Sequence, residues 1–203
     1  MKNRYRCHNI NGVRISEGNV KTGEIASVSL PPKVTCPACP CWSKCYADKL
    51  QQFRKEVKAA WQGNLDVLSR DRDLYFYSIE QYLAGKQPDF FRFHVSGDFP
   101  DQDYLDRVIQ LSRDYNDGCN FLAFTKRFGF HYRDLPSNLS IVFSAWPGAT
   151  MPDRRKNLPI AWVQDGTETR IPNDAIQCPG NCETCGLCWK LKDVGHDVWF
   201  KIH

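Results

Sequence analysis

The chain of 203 residues has no long hydrophobic run, and no stretch of it approaches the roughly 18 consecutive apolar residues that a membrane helix needs. No apolar segment follows the basic residues at its start, so we expect no secretory signal. Glycine and proline, at 13 and 12 residues, are too few for a fibrous or low-complexity protein. These absences predict a cytoplasmic protein without membrane contact, in which cysteines stay reduced.

A large excess of charge of one sign is also missing. The formal net charge is only +4, and it counts every cysteine as neutral. Because cysteines bind metal as thiolates, eight metal-bound cysteines would bring this balance to zero or below. Net charge therefore gives little support for nucleic-acid binding. The hydrophobic fraction of 42% is enough for a packed core, and the length suits one domain over residues 1–203.

Six short apolar segments are typical of buried strands, and they cover residues 24–30, 90–95, 120–125, 139–145, 159–164 and 197–202. Apolar residues at helical spacing predict a helix over about 43–61. A second helix is expected after a break at Gly63-Asn64 and should stop near Gly85. Asp101 should cap a third helix.

Short strands that alternate with helices indicate a parallel sheet in an α/β fold. Six strands are too few to close a standard eight-stranded barrel, so we predict an open, partial TIM-like barrel. In such folds the reactive groups collect where the strands end. That edge would carry a cysteine-rich loop at 35–48, Ser96-Gly97-Asp98 and Thr125-Lys126-Arg127.

Eight of the ten cysteines lie in two tight runs, Cys36, Cys39, Cys41 and Cys45, then Cys178, Cys182, Cys185 and Cys188. Thiolates suit zinc and iron–sulfur clusters. Structural zinc sites usually join two separate two-cysteine turns, whereas one continuous loop can wrap a cluster. The second run, C-x3-C-x2-C-x2-C, has the gaps of a bacterial ferredoxin motif in the opposite order.

We therefore predict iron–sulfur clusters, one or two of the [4Fe–4S] type, on these two runs, which could also exchange ligands or build one shared site. Zinc, disulfides and redox dithiol chemistry are the alternatives. The two remaining cysteines differ in setting. Cys119 adjoins a predicted strand and should be a small core residue, while Cys7 has no partner in the sequence.

With these elements placed, residues 35–49 resemble the cysteine loop of the radical S-adenosylmethionine (SAM) superfamily. A closer resemblance is to the phage gene-product-88 family. It rests on Cys-Tyr-Ala at 45–47, His-Val-Ser-Gly-Asp at 94–98, Phe-Thr-Lys-Arg at 124–127, the late cysteine run and the closing strand at 198–203. The resemblance implies a phage protein in the host cytosol, with a radical-SAM-like partial barrel and a [4Fe–4S] cluster at its mouth.

The radical-SAM resemblance also implies a C-x3-C-x2-C motif, and the chain departs from it. Cys41 and Cys45 match the first two positions, but Asp48 stands at the third. Four cysteine ligands would close the cluster, whereas three would leave an iron free for SAM. The resemblance makes Ser96-Gly97-Asp98 a candidate contact for SAM. The alternative is a strand-ending turn in which Asp98 or Asp101 caps the next helix.

Two further residues at this edge are candidates. Lys126 could bind phosphate or nucleic acid. His94 could face the cluster, but we favour a hydrogen-bonded core histidine. The whole pattern predicts an iron–sulfur protein with a redox, electron-transfer or regulatory role, for which a redox partner is expected. The alternatives are a SAM-dependent radical enzyme that uses a rearranged set of three cysteines, and a zinc-stabilised nucleic-acid-binding protein.

Overall fold

In a computed structural model, which describes residues 5–202 apart from the side chain at position 155, nine strands form one open sheet. The strands are β1 (Cys7–Ile10), β2 (Val13–Ser16), β3 (Ala26–Val28), β4 (Phe90–Phe93), β5 (Asn120–Thr125), β6 (Leu139–Ala145), β7 (Ile160–Gln164), β8 (Ile176–Gln177) and β9 (Val198–Lys201). Their order is β1-β2-β3-β4-β5-β6-β7-β9-β8. β1, β2 and β3 pair antiparallel, and all further pairs are parallel.

The predicted α/β fold with an open, mostly parallel sheet is confirmed at this level, while the partial TIM-like barrel stays a prediction. Each of the six predicted segments contains one strand, namely β3, β4, β5, β6, β7 and β9. The prediction missed three strands. β1 and β2 form a hairpin across Asn11 and Gly12, both with positive φ, and this Asn-Gly dipeptide between alternating apolar residues is a known hairpin signal. β8 is only two residues long.

The helices are α1 (Tyr46–Phe53), α2 (Lys55–Arg70), α3 (Arg72–Lys86), α4 (Gln102–Asp114), α5 (Cys182–Cys185) and α6 (Leu191–Val194). The predicted break at Gly63-Asn64 is wrong, because α2 runs through it. Asn64 is fully buried, and its side chain bonds both backbone groups of Arg14 and the carbonyl of Ser29. The chain breaks instead at Arg54 and at Asp71, which caps α3 by accepting from the Leu74 amide.

Helix α4 is as predicted. The carboxylate of Asp101 accepts a hydrogen bond from the amide of Tyr104 at 2.8 Å, which is the N-cap geometry. Tyr104, Leu105, Val108 and Leu111 are all buried at the spacing of one helix face.

The two faces of the sheet are covered differently. On one face, Phe91, Phe93 and Phe121 pack against the helices in the main core. Since side chains alternate along a strand, Phe90 and Leu122 point to the other face, where the segment 178–191 covers them. This segment contains the second cysteine run, so the fold places that run against the sheet. Between residues 5 and 202, we find no helix with the length and apolar character that crossing a membrane requires.

Candidate metal centre

The second cysteine run, Cys178, Cys182, Cys185 and Cys188, is here called the C-terminal cysteine group. Short turns hold it in place. Asn181 caps α5 by accepting from the Thr184 amide, and Gly186, with φ of 60°, ends that helix. A 3-10 turn over Leu187–Trp189 follows directly. The chain therefore reverses direction repeatedly within eleven residues, which lets one loop bring several thiols together.

The C-terminal cysteine group is anchored to the sheet by its neighbours. The indole Nε1 of Trp189 donates to the carbonyl of Asn120 at 3.2 Å, and its ring meets Phe90 edge-on. The Ser140 hydroxyl donates to the carbonyl of Cys188 at 2.8 Å. These contacts hold the thiols against the apolar face of strands β4 to β6.

The four sulfurs lie close enough to influence each other. Burial, with smaller contributions from the other three cysteines of the group and against the opposing charge of Arg92, raises the pKa of the Cys188 thiol to about 12. Burial likewise raises the pKa of Cys182, with Cys178 and Cys185 adding to the effect. Cys182 and Cys188 therefore favour the protonated form at neutral pH.

Two basic side chains face the C-terminal cysteine group. Arg92 points from β4 into it, with its guanidinium carbon 4.8 Å from the centre of the Phe124 ring. Its Nε atom is buried and has no hydrogen-bond partner, and none of the ion pairs of the described residues involves it. The ammonium group of Lys21 is near the same thiols. Burial lowers the pKa of Lys21, while Cys178 raises it.

Sequence reasoning missed both cations. A signal for Arg92 was present, because an arginine inside the strand Phe90-Phe91-Arg92-Phe93 is rarely buried without a partner. Lys21 lies in a loop before β3, and nothing in the sequence connects that loop with cysteines more than 150 residues later. Only the fold brings them together: the Cys182 amide bonds the Lys21 carbonyl at 3.4 Å.

The first run, Cys36, Cys39, Cys41 and Cys45, forms the N-terminal cysteine group at the carboxyl edge of β3. Cys36 and Cys45 are free thiols, but Cys39 and Cys41 are joined as a disulfide, so the prediction that the cysteines stay reduced is wrong for this pair. Burial raises the pKa of Cys36; Asp98 and Cys45 add to this, while Lys126 opposes it. The structure thus brings Lys126 and Asp98 to the first cysteine loop, as expected if the segments that follow the parallel strands meet at one edge of the sheet.

Asp98 is buried, and its carboxylate accepts hydrogen bonds from other groups of the same chain. Its carboxylate accepts from the Thr125 hydroxyl at 2.6 Å, the Lys126 amide at 2.8 Å and the Phe99 amide at 2.8 Å. These bonds tie the loop after β4 to the loop after β5. Asp98 does not cap α4, since Asp101 does. Burial raises the pKa of the Asp98 carboxyl, while the same hydrogen bonds lower it.

Gly97 and Ser96 complete this turn. Gly97 has φ of 84°, and a Cβ there would lie 2.8 Å from the Leu30 carbonyl oxygen and the Thr35 hydroxyl, so only glycine fits. The Ser96 backbone carbonyl accepts from the Leu30 amide, while its hydroxyl is buried without a partner. Ser96-Gly97-Asp98 therefore acts as a rigid link between strand ends, and its contact with a cofactor stays a prediction.

The described residues contain no set of three or more His, Cys, Asp or Glu side chains placed so that they could hold a metal ion. A mononuclear zinc site needs four sulfurs about 2.3 Å from one point. A cluster is a larger body, and its thiolate ligands are spread around it. Cys178, Cys182 and Cys188 are partly buried and Cys185 is exposed, and Arg92 and Lys21 lie beside this group. Such a donor set would suit an anionic cluster.

His94 is a core residue, as favoured from the sequence. It is 3% exposed, its Nε2 is 3.1 Å from the Tyr104 hydroxyl, and its Nδ1 is buried without a partner. Burial lowers the pKa of His94 to about 3, and the charge of Arg92 contributes. Cys119 is likewise buried in the main core, whereas Cys7 is exposed on β1.

The buried neutral state of His94 predicts a stability loss in acid. Between pH 6.5 and 3 the unfolded chain binds a proton at this position and the folded chain does not, so stability falls as pH falls. At pH 5 the loss relative to pH 7 should be about 2 kcal/mol. Urea unfolding of the parent chain and of His94→Asn at both pH values measures it. Asparagine tolerates the positive φ of 62° at this position. An equal acid sensitivity in the two proteins would contradict the assignment.

The fold and the two cysteine groups define an open-sheet α/β protein with clustered thiols on one face and at one edge of its sheet. Comparison with known proteins then identifies the family. The family model described as Gene product 88 matches residues 7–191. The chain therefore belongs to the gene product 88 family.

Two curated relatives are phage proteins. The Gene 88 protein of Mycobacterium phage D29 is 32% identical over 208 residues, covering 84% of this chain and 85% of the relative. The Gene 88 protein of Mycobacterium phage L5 is 30% identical over 209 residues, with the same coverage. No solved structure matches the chain. The predicted phage family is thus confirmed, and these relatives' names state no activity or cofactor.

Proposed function

We propose that this chain is an iron–sulfur protein with a redox, electron-transfer or regulatory role, built on a radical-SAM-like partial barrel. The C-terminal cysteine group would hold one [4Fe–4S] cluster through Cys178, Cys182, Cys185 and Cys188. The observation that carries this proposal is Arg92, a cation that is partly buried beside four thiols and has no carboxylate partner among the described residues.

The cost of burying charge supports an anionic cluster. A buried arginine without a counter-ion is costly, and four protonated thiols supply no negative charge. Metal-bound cysteines are thiolates, so a cluster with four of them carries net negative charge. Arg92 and Lys21 would then neutralise it, and the unpartnered Nε of Arg92 would gain a sulfur acceptor.

A cluster also suits the spread of the thiols better than zinc. No three potential ligands among residues 5–202 are placed to hold a single ion. A cluster would accept the wider spacing of a ligand set that wraps around it. The apolar cover from Phe90, Leu122 and Trp189 would keep water from the bound group and so influence its potential.

The N-terminal cysteine group is the proposed second site. Cys36 and Cys45 are available as thiols, and Cys39 and Cys41 would join them after a dithiol reductant has supplied two electrons and two protons to their disulfide. Asp98 already accepts three hydrogen bonds within the chain. Because these hydrogen bonds occupy the Asp98 carboxylate, they support a redox or structural role for the carboxyl edge of the sheet rather than SAM binding.

Anaerobic purification from cells supplied with iron tests the proposal. We expect a brown protein with iron and acid-labile sulfide in about equal amounts, because a [4Fe–4S] cluster contains as much sulfide as iron, and an EPR signal after reduction. Zinc without sulfide would instead favour a zinc-stabilised protein. A colourless, well-folded preparation in which the six free clustered cysteines all react with a thiol reagent, and Cys39 and Cys41 do so after reduction, would refute the cluster assignment.

A further inference from the structure

Helix α1 carries an apolar face that the described part of the chain leaves uncovered. Tyr46, Leu50 and Phe53 lie at positions i, i+4 and i+7, and their exposed fractions are 55%, 39% and 83%. Trp42, one turn earlier in the 3-10 segment Pro40–Lys44, is 41% exposed. The hydroxyl of Tyr46 bonds the carbonyl of Val95, which holds this ring in place. We call Trp42, Tyr46, Leu50 and Phe53 the α1 surface.

Several large apolar side chains in one exposed row mark an interaction site. The sequence predicted this row as the apolar face of a longer helix over 43–61. The structure ends α1 at Phe53 and restarts the chain as α2 after Arg54. This break separates the row from α2, which packs on the sheet through Val67 and Leu68. The row needs a partner from outside the described chain.

Basic residues surround the α1 surface. Lys49 follows Tyr46 by three residues and precedes Phe53 by four, so on the helix it lies between these two rings. Residues 44–58 contain five lysines and arginines and two acids. Of the acids, Asp48 is bound by Lys33 at 2.5 Å, and Glu56 lies 3.9 Å from Arg54. The exposed charge around the rings is therefore positive, and the partner should be an anion.

We propose that the α1 surface binds single-stranded nucleic acid. Such ligands combine a phosphate backbone, which needs cations along its path, with unpaired bases, which stack on aromatic rings. Trp42, Tyr46 and Phe53 offer three exposed rings within twelve residues, with lysines between them. In a duplex the bases are stacked on each other and cannot reach these rings.

Trp42 and Tyr46 adjoin Cys41 and Cys45 of the N-terminal cysteine group, whereas the residues varied in the test, Lys49, Phe53 and Lys55, lie outside both groups. Fluorescence anisotropy of labelled oligothymidylate, titrated with the full chain purified anaerobically, tests the proposal. We expect Phe53→Ala to weaken binding by about 5- to 150-fold, the range for loss of one stacked base. The double variant Lys49→Gln, Lys55→Gln should weaken binding and lower the slope of affinity against salt by about 1 to 2.

Matched controls lie elsewhere on the surface. Tyr77 on α3 is 53% exposed, so Tyr77→Ala removes a comparable ring, and Arg70→Gln removes an exposed cation at the end of α2. Neither control should change the affinity. All variants should keep the melting temperature and metal content of the parent chain.

Other outcomes would overturn the proposal. Equal affinity for duplex and oligothymidylate, or no effect of Phe53→Ala, would show that rings do not stack on bases. If a second copy of the chain covers this surface, sedimentation would show a dimer, and Phe53→Ala would convert it to a monomer. A lipid partner would appear as binding to vesicles with anionic headgroups. Either result, without oligothymidylate binding, assigns the α1 surface to that partner instead.

Discussion

Cys188→Ala is expected to remove about half of the iron and sulfide from anaerobically prepared protein, because each cysteine group would hold one cluster. Cys188 is a partly buried thiol of the C-terminal cysteine group, and its segment is anchored through Trp189 and Ser140. Since bound metal contributes folding free energy, the melting temperature of the loaded protein should fall as well. Iron and sulfide assays with thermal melts measure both effects.

Two other cysteines serve as controls. Cys119→Ala removes a buried thiol from the main core, and we expect full iron content with a loss of about 1 kcal/mol in stability. Cys7→Ser changes an exposed thiol on β1 and should alter neither quantity. Full iron content and unchanged melting in Cys188→Ala would remove the C-terminal cysteine group from the metal-binding residues.

Arg92→Met is expected to change stability in opposite directions in the loaded and metal-free protein. Without metal, Arg92 is a partly buried cation without a counter-ion, so an apolar residue of similar size should be neutral or stabilising by about 1–3 kcal/mol. With a cluster bound, the same change removes its neutralising charge and should destabilise. Urea unfolding of the cluster-bound protein, and of protein from which a chelator has removed the metal, measures the direction of the stability change in each form.

The same variant should shift the reduction potential of the cluster. Reduction adds negative charge, which the nearby guanidinium stabilises, so losing it should lower the potential by something on the order of tens of millivolts. Arg107→Met is the control: Arg107 also lies over a ring, that of Phe76, but it pairs with Asp73 far from the thiols. A loaded protein that Arg92→Met leaves unchanged in both stability and potential would show that Arg92 does not face an anionic group.

The strands were predictable because their signal is local. Residues 121–124 and 141–143 are short apolar runs, and they form the centres of β5 and β6. A strand buried on both faces needs apolar residues at every position, and such runs are visible without knowledge of the partner strands. The Asp101 cap of α4 was visible for the same reason.

The helix boundary in α2 was not predictable in this way. Gly63 and Asn64 weaken a helix by local propensity, and the chain nevertheless continues through them. The side chain of Asn64 satisfies backbone groups of Arg14 and Ser29, which lie on other parts of the sheet. These tertiary hydrogen bonds, whose partners are 50 and 35 residues away, outweigh the local preference.

The sequence by itself determined the open α/β fold, its six main parallel strands and the two sets of clustered thiols, because each depends on residues that are neighbours in the chain. Only the tertiary structure decided what surrounds those thiols. It brought Arg92 from β4 and Lys21 from a loop to the same four cysteines, and it left the rings of α1 exposed. The physical reason is that charge neutralisation and burial depend on groups far apart in sequence, which meet only after the sheet has formed.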